Sequence, residues 1–189
     1  YFAIKKASEP LHIQWNPATD EVEVVNYSAG THKGLTAKVQ VLNMDASVAW
    51  EKEATVDSNE DTTDKCIKLE FPENLSKVHF IKMTLTEDGK VVSDNFYHRS
   101  LEENNYQDLR QLAMVALQST TTVDKNADGT WSAVSVIENK TSTPALMIRL
   151  NVVGSNDGQQ LLPVFYSHNY FSLLPGEKKE VRMSWKDED

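Results

Sequence analysis

Residues 81–97, IKMTLTEDGKVVSDNFY, decide the fold class. Two strand-like runs, Ile81–Thr86 and Lys90–Tyr97, flank Asp88-Gly89. A glycine after aspartate supplies the positive φ that a tight β-hairpin demands. The same signal recurs along the chain. Asp128-Gly129 precedes Trp131–Ile137, Asp157-Gly158 separates Ala145–Val153 from Gln160–Tyr166, and Pro175-Gly176 separates Tyr170–Leu174 from Lys179–Trp185.

Between these turns the apolar residues recur with period two, which predicts half-buried strands. Ala37, Val39 and Val41 form one row, and Ile67, Leu69 and Phe71 a second. Leu146, Ile148, Leu150 and Val152 form a third, and Val181, Met183 and Trp185 a fourth. A slip of one residue would turn each row to solvent, so the registers are well specified. Many short strands with such turns predict an all-β chain built as a sandwich.

The segment 99–112, RSLEENNYQDLRQL, breaks the pattern. It reads as a polar linker with a turn or two of helix carrying Tyr106, Leu109 and Leu112. It divides the 189 residues into 1–103 and 104–189, with about seven strand candidates before it and six or seven after. Each part has the size of an immunoglobulin-like β-sandwich. No strong internal repeat relates the two.

The chain carries 19 Lys plus Arg against 28 Asp plus Glu, a formal charge of −9. This balance argues against nucleic acid as a partner, since phosphate binding needs a basic patch. No run of about 18 apolar residues exists, which removes a transmembrane helix and a membrane partner of that kind. The single cysteine, Cys66, excludes an internal disulfide, and no Cys/His spacing suggests zinc. Cys66 falls on the polar side of its strand and reads as a partly exposed thiol.

Several residue groups carry possible chemistry. Retaining glycoside hydrolysis needs two carboxylates about 5–5.5 Å apart. Glu102-Glu103 and Asp187-Glu188-Asp189 are adjacent acids on a linker and a tail, which do not converge on a sugar. Asp124, Asn126 and Asp128, followed by Gly129, match the first half of a calcium loop. The twelfth position is Ser135, so the bidentate glutamate is missing, and the same letters also make a plain β-turn. Calcium is the one ion the sequence suggests, and no organic cofactor is expected. Tyr166, His168, Asn169 and Tyr170 form the densest polar-aromatic cluster, on a connection where function concentrates. With Trp131, which opens a strand just after a turn, they are candidates for holding a β-linked glycan. The competing reading makes Trp131 a core plug and Asn169 a backbone hydrogen-bonder. Trp15 and Trp185 follow core rows and read as buried. His12, His32, His79, His98 and His168 show no metal spacing, and Gly-x-Ser-x-Gly is absent. Asn-x-Ser/Thr triplets begin at Asn26, Asn74 and Asn139.

Three segments carry a resemblance. Lys5-Lys6-Ala7-Ser8-Glu9-Pro10-Leu11-His12-Ile13-Gln14-Trp15 resembles the exit from a catalytic barrel into a following sandwich in family 2 glycoside hydrolases of the β-mannosidase and exo-β-glucosaminidase type. Val92–Tyr97 followed by Tyr106, Leu109 and Leu112 resembles the junction between their C-terminal sandwiches. Leu162–Glu177, LPVFYSHNYFSLLPGE, is similar to their final immunoglobulin-like domain. The resemblance implies a non-catalytic accessory region, with the catalytic barrel of the same parent chain as partner. It also implies export to the periplasm or outside the cell. The catalytic carboxylates of such enzymes sit on the barrel, so no catalytic residue is carried over. The start at Tyr1-Phe2, without methionine, fits an excised piece of a longer chain. A stand-alone glycan-binding module and an adhesion module are the alternatives.

Overall fold

The computed structural model describes residues 1–155 and 157–186; the acidic tail Asp187-Glu188-Asp189 lies outside the described residues. Apart from its first two residues, the chain divides into two compact units, Ala3–Gln111 and Leu112–Asp189.

The first unit opens with a short helix, α1 (Phe2–Ala7), and continues with seven strands. These are β1 (Leu11–Asn16), β2 (Glu21–Asn26), β3 (His32–Asn43), β4 (Val48–Ser58), β5 (Thr62–Lys68), β6 (Val78–Glu87) and β7 (Lys90–Ser100). They form two antiparallel sheets, β1-β2-β5 and β4-β3-β6-β7. Period-two burial builds the core between them. Ile13, Val22 and Val24 come from the first sheet, and Ala37, Val39, Val41, Ile81, Met83 and Leu85 from the second. Each valine, isoleucine, leucine or methionine among them contributes about 1.5–3 kcal/mol by leaving water. The hairpin β6–β7 turns at Asp88 (φ 50°) and Gly89 (φ 74°), the two positive φ values of a type I′ turn.

β1 and β7 are edge strands of different sheets, and polar side chains bridge them. The Ile13 amide donates to Ser93 Oγ at 3.3 Å, and Asn95 Nδ2 donates to the Ile13 carbonyl at 3.3 Å. An edge backbone that would otherwise be open is thereby satisfied. Lys6 anchors the chain before β1 to the same strand, pairing with Glu9 at 3.0 Å and Asp94 at 2.7 Å.

The second unit holds β8 (Gln118–Lys125), β9 (Thr130–Glu138), β10 (Ala145–Ile148), β11 (Val164–Tyr166), β12 (Phe171–Leu173) and β13 (Lys178–Lys186). Its sheets are β11-β13-β9-β8 and the short pair β10-β12. Ala133, Ile137, Val181, Met183 and Trp185 face Ala145 and Leu173 across the core. The edge strand β8 is exposed at all eight positions, because the two-stranded sheet is too narrow to cover it. Both units are immunoglobulin-like β-sandwiches.

Four local expectations change. Arg99 and Ser100 belong to β7 rather than to the linker, whose helical turn is a 3-10 helix at Gln107–Gln111. Pro175-Gly176 joins strands of different sheets, β12 and β13, so it is a crossing rather than a hairpin. Asp157-Gly158 closes only a short tip, with Val153 bridging Gln160, and β11 then pairs with β13. In the third apolar row, Met147 adopts a φ of 53° and the register shifts between Ala145 and Ile148. Ile148, Leu150 and Val152 still pack on the core, while Ala145 takes the fully buried place.

Candidate functional site

The cluster Tyr166–Tyr170 lies where the chain leaves β11 for β12. Asn169 is buried and pairs both backbone groups of Leu150: its Oδ1 accepts from the Leu150 amide at 2.8 Å and its Nδ2 donates to the Leu150 carbonyl at 3.0 Å. Tyr166 Oη accepts from the Val152 amide at 3.0 Å. These two side chains therefore tie the irregular segment after β10 to the connection that follows β11. The Ser167 amide donates to the Arg182 carbonyl at 2.8 Å, and its hydroxyl accepts from the Arg182 amide at 2.9 Å. His168 and Tyr170 face solvent, Tyr170 at a φ of 57°.

Trp131 sits in the row Lys125–Trp131–Trp185–Val164 across four strands. Tyr166 lies two residues further along, beside Met183 and Ala133. The Trp131 ring is half-buried and stacks on Trp185 at 6.4 Å with 7° between planes, and the Lys125 ammonium lies 5.0 Å from it. Trp131 and Tyr166 both pack against the core of this unit, and Asn169 is turned toward Leu150.

Asp124, Asn126 and Asp128 lie at the β8–β9 hairpin. Asp124 pairs with Ser132 within the ladder. Asp128 Oδ1 accepts from the Thr130 amide at 3.0 Å and from Thr130 Oγ1 at 2.6 Å. These bonds hold its carboxyl below the usual carboxylate range. Asn126 Nδ2 donates to Thr130 Oγ1 at 2.9 Å, and the Asn126 amide donates to the Thr130 carbonyl at 2.8 Å. The arrangement is a hairpin closed by a side-chain turn. Among the described residues, no group of three or more His, Cys, Asp or Glu is placed to hold a metal ion.

The other candidates have structural partners. Glu102 accepts from Lys77 at 3.3 Å and Asn105 at 2.7 Å. Cys66 is the extra residue in a bulge where β5 meets β2; its thiol donates to the Val22 carbonyl at 3.4 Å, and burial pushes its pKa up to about 11. Such a thiol carries little thiolate and is a poor nucleophile at neutral pH.

A second group of buried polar atoms sits at Arg99. Its guanidinium lies 4.0 Å from the Phe71 ring centroid and 5.2 Å from that of Trp15. Asp20 stands 3.5 Å from Nη1. His79, fully buried, is the register partner of Arg99 and contacts Phe71 with ring centroids 5.8 Å apart. Trp15 Nε1, Asp20 Oδ1, His79 Nε2 and Arg99 Nη1 are buried atoms without a hydrogen-bond partner in the protein. They gather around one cation–π stack. The sequence hid this group because Arg99 stands at the start of a polar stretch and its partners are 20 to 84 positions earlier.

His79 and His98 both titrate below the ordinary histidine value of 6.5. Burial is the main cause for each, and the charge on Arg99 adds to it at His79. Each histidine is neutral in the fold and takes a proton more readily when unfolded. Stability from both is therefore complete above the ordinary value and lost as pH falls through it toward the folded values. His98 contacts Phe80 at 5.5 Å and Phe96 at 5.4 Å. His98→Phe, which keeps a ring in that cluster, is expected to flatten the fall in urea midpoint between neutral pH and about 5. An unchanged slope in the variant removes His98 from this account.

Fold and geometry define a class: a tandem immunoglobulin-like sandwich whose candidate residues serve chiefly its own architecture. Comparison with known proteins carries the assignment further. Residues 95–189 match the exo-β-D-glucosaminidase Ig-fold domain family, and residues 20–100 match the mannosidase Ig/CBM-like domain family. The chain belongs to the exo-β-D-glucosaminidase Ig-fold domain family. An exo-β-D-glucosaminidase of Streptomyces avermitilis is 31% identical across 100% of this chain, and that of Hypocrea jecorina is 28% identical across 99%. The chain spans only 24% and 23% of the length of these relatives. The crystal structure of the Amycolatopsis orientalis exo-chitosanase CsxA superposes with a TM-score of 0.89 at 27% identity, covering 98% of this chain and 24% of that one. A β-D-mannosidase of Dictyoglomus thermophilum shares the fold, with a TM-score of 0.63 at 15% identity over 97% of this chain and 20% of its own.

Proposed function

We propose that this chain is the non-catalytic C-terminal part of a family 2 glycoside hydrolase acting on a β-linked glucosaminide or mannoside. Its task is to brace the catalytic barrel of the same polypeptide. The observation that supports this most is coverage: the chain aligns over its whole length yet accounts for only 24% of a curated exo-β-D-glucosaminidase. In this reading residues 1–103 are the sandwich beside the barrel and 104–189 the terminal one, and the enzyme works in the periplasm or outside the cell. The physical contribution is rigid surface. Strands locked by buried rows in both sheets present a fixed face, so the barrel loses little entropy on docking.

The test uses the purified chain and its parent enzyme. The isolated chain is expected to release no p-nitrophenol from p-nitrophenyl β-D-glucosaminide or β-D-mannoside above buffer. Deleting the chain from the parent is expected to lower the melting temperature of what remains. Turnover by the isolated chain overturns the non-catalytic reading, and an unchanged melting temperature overturns the bracing role.

A further inference from the structure

The three Asn-x-Ser/Thr triplets, Asn26-Tyr27-Ser28, Asn74-Leu75-Ser76 and Asn139-Lys140-Thr141, all lack proline at the middle position. Each is therefore formally an acceptor for an N-linked glycan. The fold treats them differently.

Asn26 ends β2 and is fully buried. Its Nδ2 donates to the Gly30 carbonyl at 3.1 Å and the Ser58 carbonyl at 3.3 Å. Its Oδ1 accepts from the Ser28 amide at 2.9 Å and Ser28 Oγ at 2.6 Å. Asn139 follows β9, is also fully buried, and repeats the pattern. Its Nδ2 donates to the carbonyls of Thr143 at 2.8 Å and Leu173 at 3.0 Å. Its Oδ1 accepts from the Thr141 amide at 3.1 Å and Thr141 Oγ1 at 2.8 Å. In each unit the first carbonyl is four residues on and the second belongs to a strand of the opposite sheet. The triplet is thus one architectural device used twice: the asparagine stitches two sheets, and the hydroxyl residue two positions on completes it.

Asn74 is different. It is exposed in the turn between β5 and β6, closed by the Leu75 amide donating to the Pro72 carbonyl at 3.2 Å.

We propose that Asn74 is the one triplet at which the folded chain can carry an N-linked glycan, and that Asn26 and Asn139 are closed to it. The chemistry makes the distinction. Transfer from a lipid diphosphate-linked oligosaccharide forms a bond from Nδ2 to the sugar C1. The C1–O bond to the lipid diphosphate breaks, the diphosphate leaves with the electron pair, and Nδ2 gives up one of its two protons. At Asn26 and Asn139 both protons are already committed to buried carbonyls, and a sugar has no space at a fully buried atom. At Asn74 neither obstacle exists.

The test is expression of the chain behind a secretion leader in yeast, with peptide mapping of the soluble and insoluble pools by mass spectrometry. Soluble chain is expected to carry a glycan at Asn74 and none at Asn26 or Asn139. Chains modified at Asn26 or Asn139 are expected only in the insoluble pool. Asn74→Gln should abolish the endoglycosidase-sensitive mobility shift of the soluble protein and leave its melting temperature unchanged. Soluble chain glycosylated at Asn26 or Asn139, or bare at Asn74, overturns the proposal.

Discussion

Asn139→Ala is expected to lower the stability of the second unit by about 3 kcal/mol, near the upper end for a single substitution. The side chain is fully buried and makes four hydrogen bonds. Alanine takes the side-chain partner from the Leu173 carbonyl and the Thr141 amide, while the Thr143 carbonyl keeps the Thr141 hydroxyl at 3.1 Å; an orphaned buried group costs about 1–3 kcal/mol before relaxation. The Asn139 backbone is committed too: its amide donates to the Glu177 carbonyl at 2.9 Å, and its carbonyl accepts from the Gly176 amide at 2.7 Å. Loss of the side chain therefore loosens the crossing from β12 to β13. Asn139→Asp is expected to be at least as harmful at neutral pH, because a carboxylate oxygen would face two carbonyl oxygens. Urea unfolding followed by hydrogen exchange on peptides from each unit checks this. The loss should fall on peptides from Leu112 onward. A midpoint indistinguishable from the parent would show that the stitch contributes nothing.

Arg99→Ala is expected to destabilise the first unit by about 2 kcal/mol. The guanidinium covers Phe71 and Trp15 and stands against Asp20, so truncation removes packing, cation–π attraction and the counter-charge together. Arg99→Lys separates these contributions. Lysine keeps the charge but not the plane that lies on two rings, so it should recover only part of the loss. Urea midpoints of the three proteins decide it. Full recovery by lysine would mean that charge alone matters, and the stack would have no energetic role.

Much of the fold is legible in period-two rows. Ala37, Val39 and Val41 are fully buried, as are Ile81, Met83 and Leu85, because a strand fixed between two sheets has one dry face and no freedom of register. Val181, Met183 and Trp185 follow the same rule. The pattern fails where backbone geometry overrides alternation. Met147 spends one residue on a bulge, so Leu146 gives its place to Ala145. Pro175-Gly176 supplies a positive φ at Gly176, but a turn residue does not state which strands it joins. The site residues were less legible still. Asn169 pairs with Leu150, 19 positions away, and Arg99 with Asp20, Trp15 and Phe71. Such pairings depend on which strands become neighbours, which no local spacing encodes. The Asn-x-Ser/Thr triplets were visible as letters; their architectural use appears only once Ser58 and Leu173 are seen on the opposite sheets.

The uncovered strand β8, QSTTTVDK, has a consequence for how this sequence can vary. A strand with no dry face answers mainly to backbone preference. Threonine, serine and valine satisfy that preference, while Asp124 and Lys125 place charge at one end of an open edge. Eight consecutive positions are thus free of the volume constraints that bind Ala133 or Val181. Thr121, which bonds the buried Ser135 hydroxyl at 2.9 Å, and Lys125, which lies over Trp131, are tied to the neighbouring strand; at the other six positions a label is expected to leave both cores untouched.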